Sequence, residues 1–281
     1  MRVGLFHYLS TAYSIDPAVL AQRAEALGFD SLWLPEHPIF PVTTVSPFPG
    51  GGPIPPFYAE IIDPFVGLAR ASAVTKTLKL GTGICLVPER NSLLLAKEIA
   101  TLDHFSGGRF LFGIGAGWVK EETEIMGGDF AHPWTQTREA ILAMKELWTK
   151  DEAEYHGTYY AFPPVRSLPK PAQRPHPPII LGSNASRQVF QRIVAWGDGW
   201  MPIGVSPQQM KQGRETLDHL ASQAGRDPRS LQIVAFFVTP DPTALQAWAE
   251  AGADAALIGL ETVGEQEALA QLEEIAQKVL L

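Results

Sequence analysis

Apolar positions along the chain gather into short, nearly unbroken runs, separated by longer stretches in which they recur with helical spacing. The runs are residues 3–7, 31–34, 78–87, 110–114, 179–181, 199–202, 231–238 and 255–258. Runs that lack polar alternation predict strands covered on both faces. Helix signals lie between them. Asp16 followed by Pro17 predicts an N-cap with proline in the first turn, and Gly28 closes that helix. Asp241, Pro242 and Gly252 repeat the same start and stop, and Ser206 with Gln209 has the spacing of a capping box. Residues 135–150 and 265–280 read as longer amphipathic helices.

Eight strand-then-helix units predict parallel strands joined by right-handed crossovers. The length of 281 residues suits a single-domain (β/α)8 barrel spanning 1–281, with insertions after strand 2 and before strand 5. A doubly wound open sheet is the competing architecture. It lacks its glycine fingerprint, because His7-Tyr8-Leu9-Ser10 follows the first strand. The insertions are the proline- and glycine-dense residues 35–64 and 163–178, which can be neither helix nor central strand. The first leaves the barrel at the catalytic face and predicts a lid or pocket wall. The second enters from the opposite face and reads as a packing arm.

Composition narrows the function. With 30 acidic against 22 basic residues the net charge is −8, which argues against a nucleic-acid surface. The single cysteine, Cys85, sits in an apolar run and reads as an inert buried thiol. No signal peptide and no span of membrane length is visible, so the sequence reads as cytoplasmic, with no membrane partner.

If the barrel is correct, chemistry belongs at the C-terminal ends of the strands. Glu36 and His37 end the second strand and are the candidate acid–base pair; the alternative is a histidine on a loop carbonyl and a glutamate on an arginine. A metal site from His7, Glu36, His37, Asp103 and His104 is disfavoured, because Asp103 and His104 fall on a helix outside the barrel, and no metal is expected. A paired-carboxylate glycosidase is disfavoured because the fourth strand ends in glycines. That end, "GIGAGWVKEE", carries Gly113, Gly115 and Gly117, which read as places where a flat or phosphorylated ligand presses on backbone. A tight barrel corner is the alternative. Trp118 would then wall a pocket, and Glu121 or Glu122 would cap a short helix. Gly182, Ser183 and Asn184 precede a helix and offer anion-binding N–H groups; simple N-capping by Ser183, Asn184 or Ser186 is the alternative.

The run "LKLGTGICLVPERNSLLLAKEIATLDHFSGGRFLFGIGAGWVKEE", residues 78–122, resembles the luciferase-like flavin and deazaflavin oxidoreductases. It is most similar to the subgroup described as probable coenzyme F420-dependent oxidoreductases. "LPEHPIFP", "DPFVGLARASAVT", "PKPAQRPHPPIILGSNAS" and "WGDGWMPIG" extend the likeness over most of residues 1–204. The resemblance implies a (β/α)8 barrel with the cofactor ring across its C-terminal face. It implies a non-prolyl cis peptide at Gly83–Ile84 behind the ring and His37 near the ring's reactive edge. It also implies phosphate and tail contacts at Gly113–Gly117 and Gly182–Asn184.

Three readings follow. The first is an oxidoreductase passing hydride between coenzyme F420 and a small organic substrate. Arg90, Lys97 or Arg187 would then meet the carboxylates of the cofactor tail. The second is an FMN-dependent monooxygenase consuming O2. The third is a non-catalytic flavin- or deazaflavin-binding protein or a barrel hydrolase. The resemblance further implies a homodimer and a separate flavin or F420 reductase as supplier of reduced cofactor. The apolar, proline-rich residues 39–58 favour an uncharged substrate.

Overall fold

A computed structural model describes residues 1–11 and 15–280. The first half of the chain runs β1 (Arg2–His7), α1 (Pro17–Leu27), β2 (Ser31–Leu34), α2 (Pro64–Ser72), β3 (Lys79–Thr82), β4 (Cys85–Leu86), α3 (Ser92–Ser106), β5 (Phe110–Gly115) and α4 (Lys120–Ile125). It continues with α5 (Pro133–Thr149), β6 (Ala153–His156), β7 (Ala161–Val165), β8 (Ile179–Ser183), α6 (Arg187–Trp196) and β9 (Gly199–Pro202). The last elements are α7 (Pro207–Gln223), β10 (Gln232–Ala235), α8 (Pro242–Glu250), β11 (Ala255–Leu260) and α9 (Glu265–Val279).

Among the described residues, eight parallel strands close a ring in the order β1, β2, β3, β5, β8, β9, β10, β11, and β11 pairs back with β1. The fold is the (β/α)8 barrel. Its helices begin as their caps dictate. Asp16 accepts from the Ala18 N–H, Asp63 from Val66 and Asp241 from Ala244, each ahead of a proline in the first turn. Ser206 and Gln209 form the expected reciprocal box. Asp63 and Pro64 carry the same signal as Asp16 and Pro17, and they start α2 in the same way.

Two expectations needed revision. The apolar run at 78–87 is not one strand. It breaks after Thr82, the Gly83–Ile84 peptide is cis, and β4 resumes the pairing with β5 at Cys85↔Ile114. The run at 231–238 stays in the sheet only over Gln232–Ala235; Phe236 and Phe237 turn out of it, Phe237 with φ +53°. The insertion before β8 also contains an element that sequence pattern missed, the antiparallel β6–β7 ribbon. Pro163 and Pro164 are tolerated there because a two-stranded ribbon is all edge. Beyond it the arm packs as expected: Gln173 gives its backbone and side-chain N–H groups to Asp103 of α3 at 2.9 and 2.7 Å.

The core has two layers. Phe6, Trp33, Leu111, Ile180, Met201, Val234 and Leu257 fill the inside of the ring, and a larger cluster lies between ring and helices. Each such side chain contributes about 1.5–3 kcal/mol by leaving water. Trp33 shapes its neighbours: a Cβ on Gly81 would overlap its indole, while the indole N–H donates to Ser31 Oγ at 2.9 Å.

His7 alternates outward from Phe6 and is fully buried, with Nδ1 3.4 Å from the Leu260 carbonyl. Burial lowers its pKa from 6.5 to about 4. The unfolded chain therefore binds a proton that the folded one refuses, and stability falls as pH drops from about 6.5 towards 4. The full effect is about 3 kcal/mol. A His7→Gln variant should gain about 3 kcal/mol on the wild type between neutral pH and pH ~4 in denaturant unfolding. A difference that does not change with pH would contradict this.

Candidate active site

The strands end at the mouth of a cavity of about 800 Å3. Its base is the top of the inner layer, Phe6, Ile84 and Met201, and the segment after β2 walls one side with Phe48, Phe57 and Tyr58. Trp118, Trp134, Phe236, Phe237 and Trp248 close much of the rest. Among the described residues, the ionisable acids and imidazoles on this lining are Glu36 and His37, and none is a lysine or arginine.

The expected Glu36–His37 pair does not form, because the two side chains turn to different partners. Glu36 is buried and takes the Leu86 N–H at 2.7 Å and the Arg90 Nε–H at 2.5 Å. That is the structural alternative considered for it, a glutamate held on an arginine. Arg90 also reaches Asp63 at 2.5 Å and Glu98 at 3.2 Å, and lies 4.7 Å over the Phe65 ring. Its charge is thus enclosed by three carboxylates and does not face the cavity. Lys97 donates to the Leu168 carbonyl on the arm, and Arg187 is exposed in the first turn of α6. None of the three proposed tail cations lines the cavity.

His37 sits in an aromatic box, its ring centroid 5.4 Å from Phe40, 5.3 Å from Tyr58 and 5.7 Å from Trp118. Its Nδ1 lies 2.7 Å from Glu122 Oε2, and the two side chains are 6% and 1% exposed. A carboxylate at Nδ1 fixes the tautomer and leaves Nε2 as the nitrogen free for the cavity. Glu122 was read only as a helix cap. In fact α4 has no side-chain cap. Glu121 is the other acid of that pair, and it accepts from the Val45 N–H at 2.9 Å and Thr44 Oγ at 2.7 Å, fastening the wall segment. The clue was available in "GWVKEE": two acids just past a strand end, on one short helix facing the Glu36–His37 turn. Tyr58 gives its hydroxyl hydrogen to Tyr8 at 3.1 Å, and burial raises both phenol pKa values, so both stay protonated.

The glycines divide. A Cβ on Gly113 would overlap the Thr82 carbonyl oxygen, and one on Gly115 the Ile84 Cδ1. These two face β3 and Ile84 and do not line the cavity, so barrel packing, not ligand approach, accounts for them. Gly83, Ile84, Gly117, Trp118, Gly182 and Ser183 do line it. Gly117 has φ +81°, and Gly182 leaves room for Ile84 Cγ2, which would lie 2.8 Å from a Cβ there. Asn184 is exposed and off the lining, and it is Ser186 that caps α6 through the Val189 N–H. The metal candidates are scattered: His7 points outward, Asp103 holds the arm and His104 lies on α3. No group of three or more His, Cys, Asp or Glu able to hold an ion occurs among the described residues. No helix among them is long and apolar enough to cross a membrane.

The cavity at the strand ends thus combines aromatic walls with a buried histidine–glutamate pair. The model of the luciferase-like monooxygenase family matches residues 12–280, and the chain belongs to that family. Members of the family are oxidoreductases and monooxygenases. An uncharacterised Mycobacterium tuberculosis protein is 37% identical over 284 residues, 99% of each chain. The FMNH2-dependent dimethylsulfone monooxygenase of Pseudomonas putida is 31% identical over 215 residues, 73% of this chain and 51% of that protein. Among solved structures, the monooxygenase RslO1 of Streptomyces bottropensis superposes with a TM-score of 0.81 at 21% identity, over 100% of this chain and 99% of that one. The coenzyme F420 dependent tetrahydromethanopterin reductase of Methanopyrus kandleri gives 0.76 at 18%, with the same coverage. At such identities the structural likeness speaks to fold alone.

The two glycine positions separate experimentally. Gly113→Ala meets a backbone carbonyl that cannot move without breaking the sheet, whereas Gly115→Ala meets the end of a flexible side chain. The expected loss of stability is about 3 kcal/mol or more for Gly113→Ala and about 1 kcal/mol for Gly115→Ala, read from denaturant midpoints. Equal losses would contradict the packing assignment.

Proposed function

We propose that this protein is a two-electron oxidoreductase that passes hydride between coenzyme F420 and a small, uncharged organic substrate, with His37 handling the proton. The observation that carries this reading is His37 itself, set in an aromatic wall of the cavity with Nδ1 held by a buried carboxylate. The residue-level likeness of 78–122 to F420-dependent enzymes supports the cofactor.

The residues present suit a flat tricyclic ring. Ile84 offers an apolar shelf above Gly115 and Gly182, and Gly83 and Gly117 keep the backbone close to the space above it. Gly182 and Ser183, which line the cavity, are the proposed holders of the tail, through N–H groups, since no cation among the described residues lines it. A bound deazaflavin supplies hydride chemistry and reacts poorly with O2, whereas FMN can activate O2; the protein supplies position and electrostatics. His37 Nε2 gives or takes the substrate proton, while Glu122 holds the ring in one tautomer and stabilises the imidazolium. The Tyr8 hydroxyl, which accepts from Tyr58, donates a hydrogen bond to a substrate oxygen, and the aromatic wall excludes water. A substrate lacking charge is favoured because Glu36, the one acid on the lining among the described residues, is already neutralised by Arg90.

An FMN-dependent monooxygenase fed by a separate reductase is the second reading, favoured by the 31% identity to an FMNH2-dependent enzyme. Side-by-side fluorescence titration with F420 and with FMN distinguishes the two. The proposal expects tighter F420 binding and no O2 uptake when the protein is supplied with reduced cofactor. Preference for reduced FMN with O2 consumption would overturn it. His37→Ala should keep cofactor affinity and lower turnover about 10²–10⁴-fold.

A further inference from the structure

Opposite the Ile84 shelf a second strand leaves the sheet. In the ring, β10 stands four strands from β3 in either direction, so what rises from its end faces Ile84 across the cavity. Ala235 still pairs with Ala256, and Val238 is back on β11 through its N–H to the Leu257 carbonyl at 2.9 Å. Phe236 and Phe237 bulge out between these two anchors, and bulges at barrel rims re-aim side chains. Phe237, with φ +53°, is the one non-glycine residue with positive φ among the described residues. A bulky side chain is strained in that conformation, which persists only where its surroundings impose it.

The surroundings do so here. Gly259 of β11 leaves space for the ring, since a Cβ there would lie 2.8 Å from Phe237 Cε1. Phe6 and Phe236 meet the ring edge-to-face, with centroids 5.0 and 4.4 Å away, and Tyr8 lies within 24° of parallel to it at 6.3 Å. Phe237 is nevertheless 49% exposed, and it lines the cavity. A ring that only filled core space would be covered. This one is held in a strained conformation with part of its surface open to the cavity.

We propose that Phe237 is a specificity residue, selecting a substrate that carries a flat apolar ring to stack on it and an uncharged oxygen for Tyr8. The inference deepens the proposed function and rests on its placing of the cofactor ring against Ile84, which leaves the opposite side of the cavity to the substrate. That side is a continuous run of rings, Phe57, Tyr8, Phe237 and Phe236, with successive centroids 5.2, 6.3 and 4.4 Å apart. Its polar contact is the Tyr8 hydroxyl, which accepts from Tyr58 at 3.1 Å and so keeps its own hydrogen for a ligand. A flexible alkyl chain loses more freedom on confinement there and offers no π face to the rings.

The test reads binding instead of turnover. Acetophenone and 2-octanone are uncharged ketones of equal carbon number, one flat and one flexible. Their affinities are measured by saturation-transfer NMR, with F420 or FMN present and with neither. The wild type should hold acetophenone about tenfold more tightly than 2-octanone. Phe237→Asn, a side chain that tolerates positive φ, should abolish that preference and leave cofactor affinity unchanged. Its urea midpoint of unfolding should match or exceed that of the wild type, because the strain is relieved. Phe237→Tyr should keep the preference. Phe237→Leu, apolar but not flat, should lose it, and decides the matter if the asparagine variant does not fold. Equal affinity of the wild type for both ketones, a preference that survives Phe237→Asn or Phe237→Leu, or a loss of cofactor affinity in place of ketone affinity would overturn the proposal. Failure of the wild type to bind either cofactor would sink the redox reading, while the two ketones would still report on Phe237.

Discussion

The cavity depends on where one side chain goes when the third barrel strand stops being regular. At Gly83–Ile84 the strand leaves the sheet, and Ile84 swings over Gly115 and Gly182, both of which lack the Cβ that would block it. Ile84 then forms the shelf of the cavity, and the chain re-enters the sheet at Cys85 in register with Ile114. Re-entry places the Leu86 N–H on Glu36 and delivers Arg90 to the same carboxylate. The end of β2 is thereby fixed, and His37, one residue on, is aimed at Glu122. Shelf and acid–base group are thus set by one backbone excursion.

Electrostatics does the rest of the positioning with few charges. Glu36 and Glu122 are both buried, and each is held by a different group, Arg90 for one and His37 for the other. Removing Arg90 would leave Glu36 buried and unpaired, a change that costs about 3–5 kcal/mol in comparable sites. The cavity therefore shows a ligand little net charge despite the acids around it. Aromatic side chains make its walls, and they exclude water more than they bind any charged group. A chain with net charge −8 can in this way keep a nearly neutral site.

Much of the fold was legible because buried parallel strands leave unbroken apolar runs and helix starts leave Asp-Pro and Ser-x-x-Gln signatures. The failures have common physical causes. Periodicity cannot see a break such as that after Thr82, since Gly83 and Ile84 are as apolar as a strand requires. The β6–β7 ribbon was hidden by its prolines, which only an edge tolerates. At the site, sequence adjacency misled: Glu36 and His37 are neighbours in the chain but diverge in space, and the true partner of His37 is 85 positions away. Gly113 and Gly115 differ from Gly83, Gly117 and Gly182 in a way sequence cannot show, because a missing Cβ looks the same whether a ligand, a carbonyl or an isoleucine fills the space. The tail-binding arginine failed for a related reason: Arg90 is close to the site but already paired.

The central claim is that the space between Ile84 and His37 is where redox chemistry takes place. The most direct measurement is a crystal structure of the protein with F420 or FMN bound. The account predicts the ring lying against Ile84, with His37 Nε2 within about 3 Å of the cofactor edge or of a substrate between them, and the His37–Glu122 contact intact. A ring bound elsewhere on the barrel, or His37 turned away from it towards bulk water, would contradict the account.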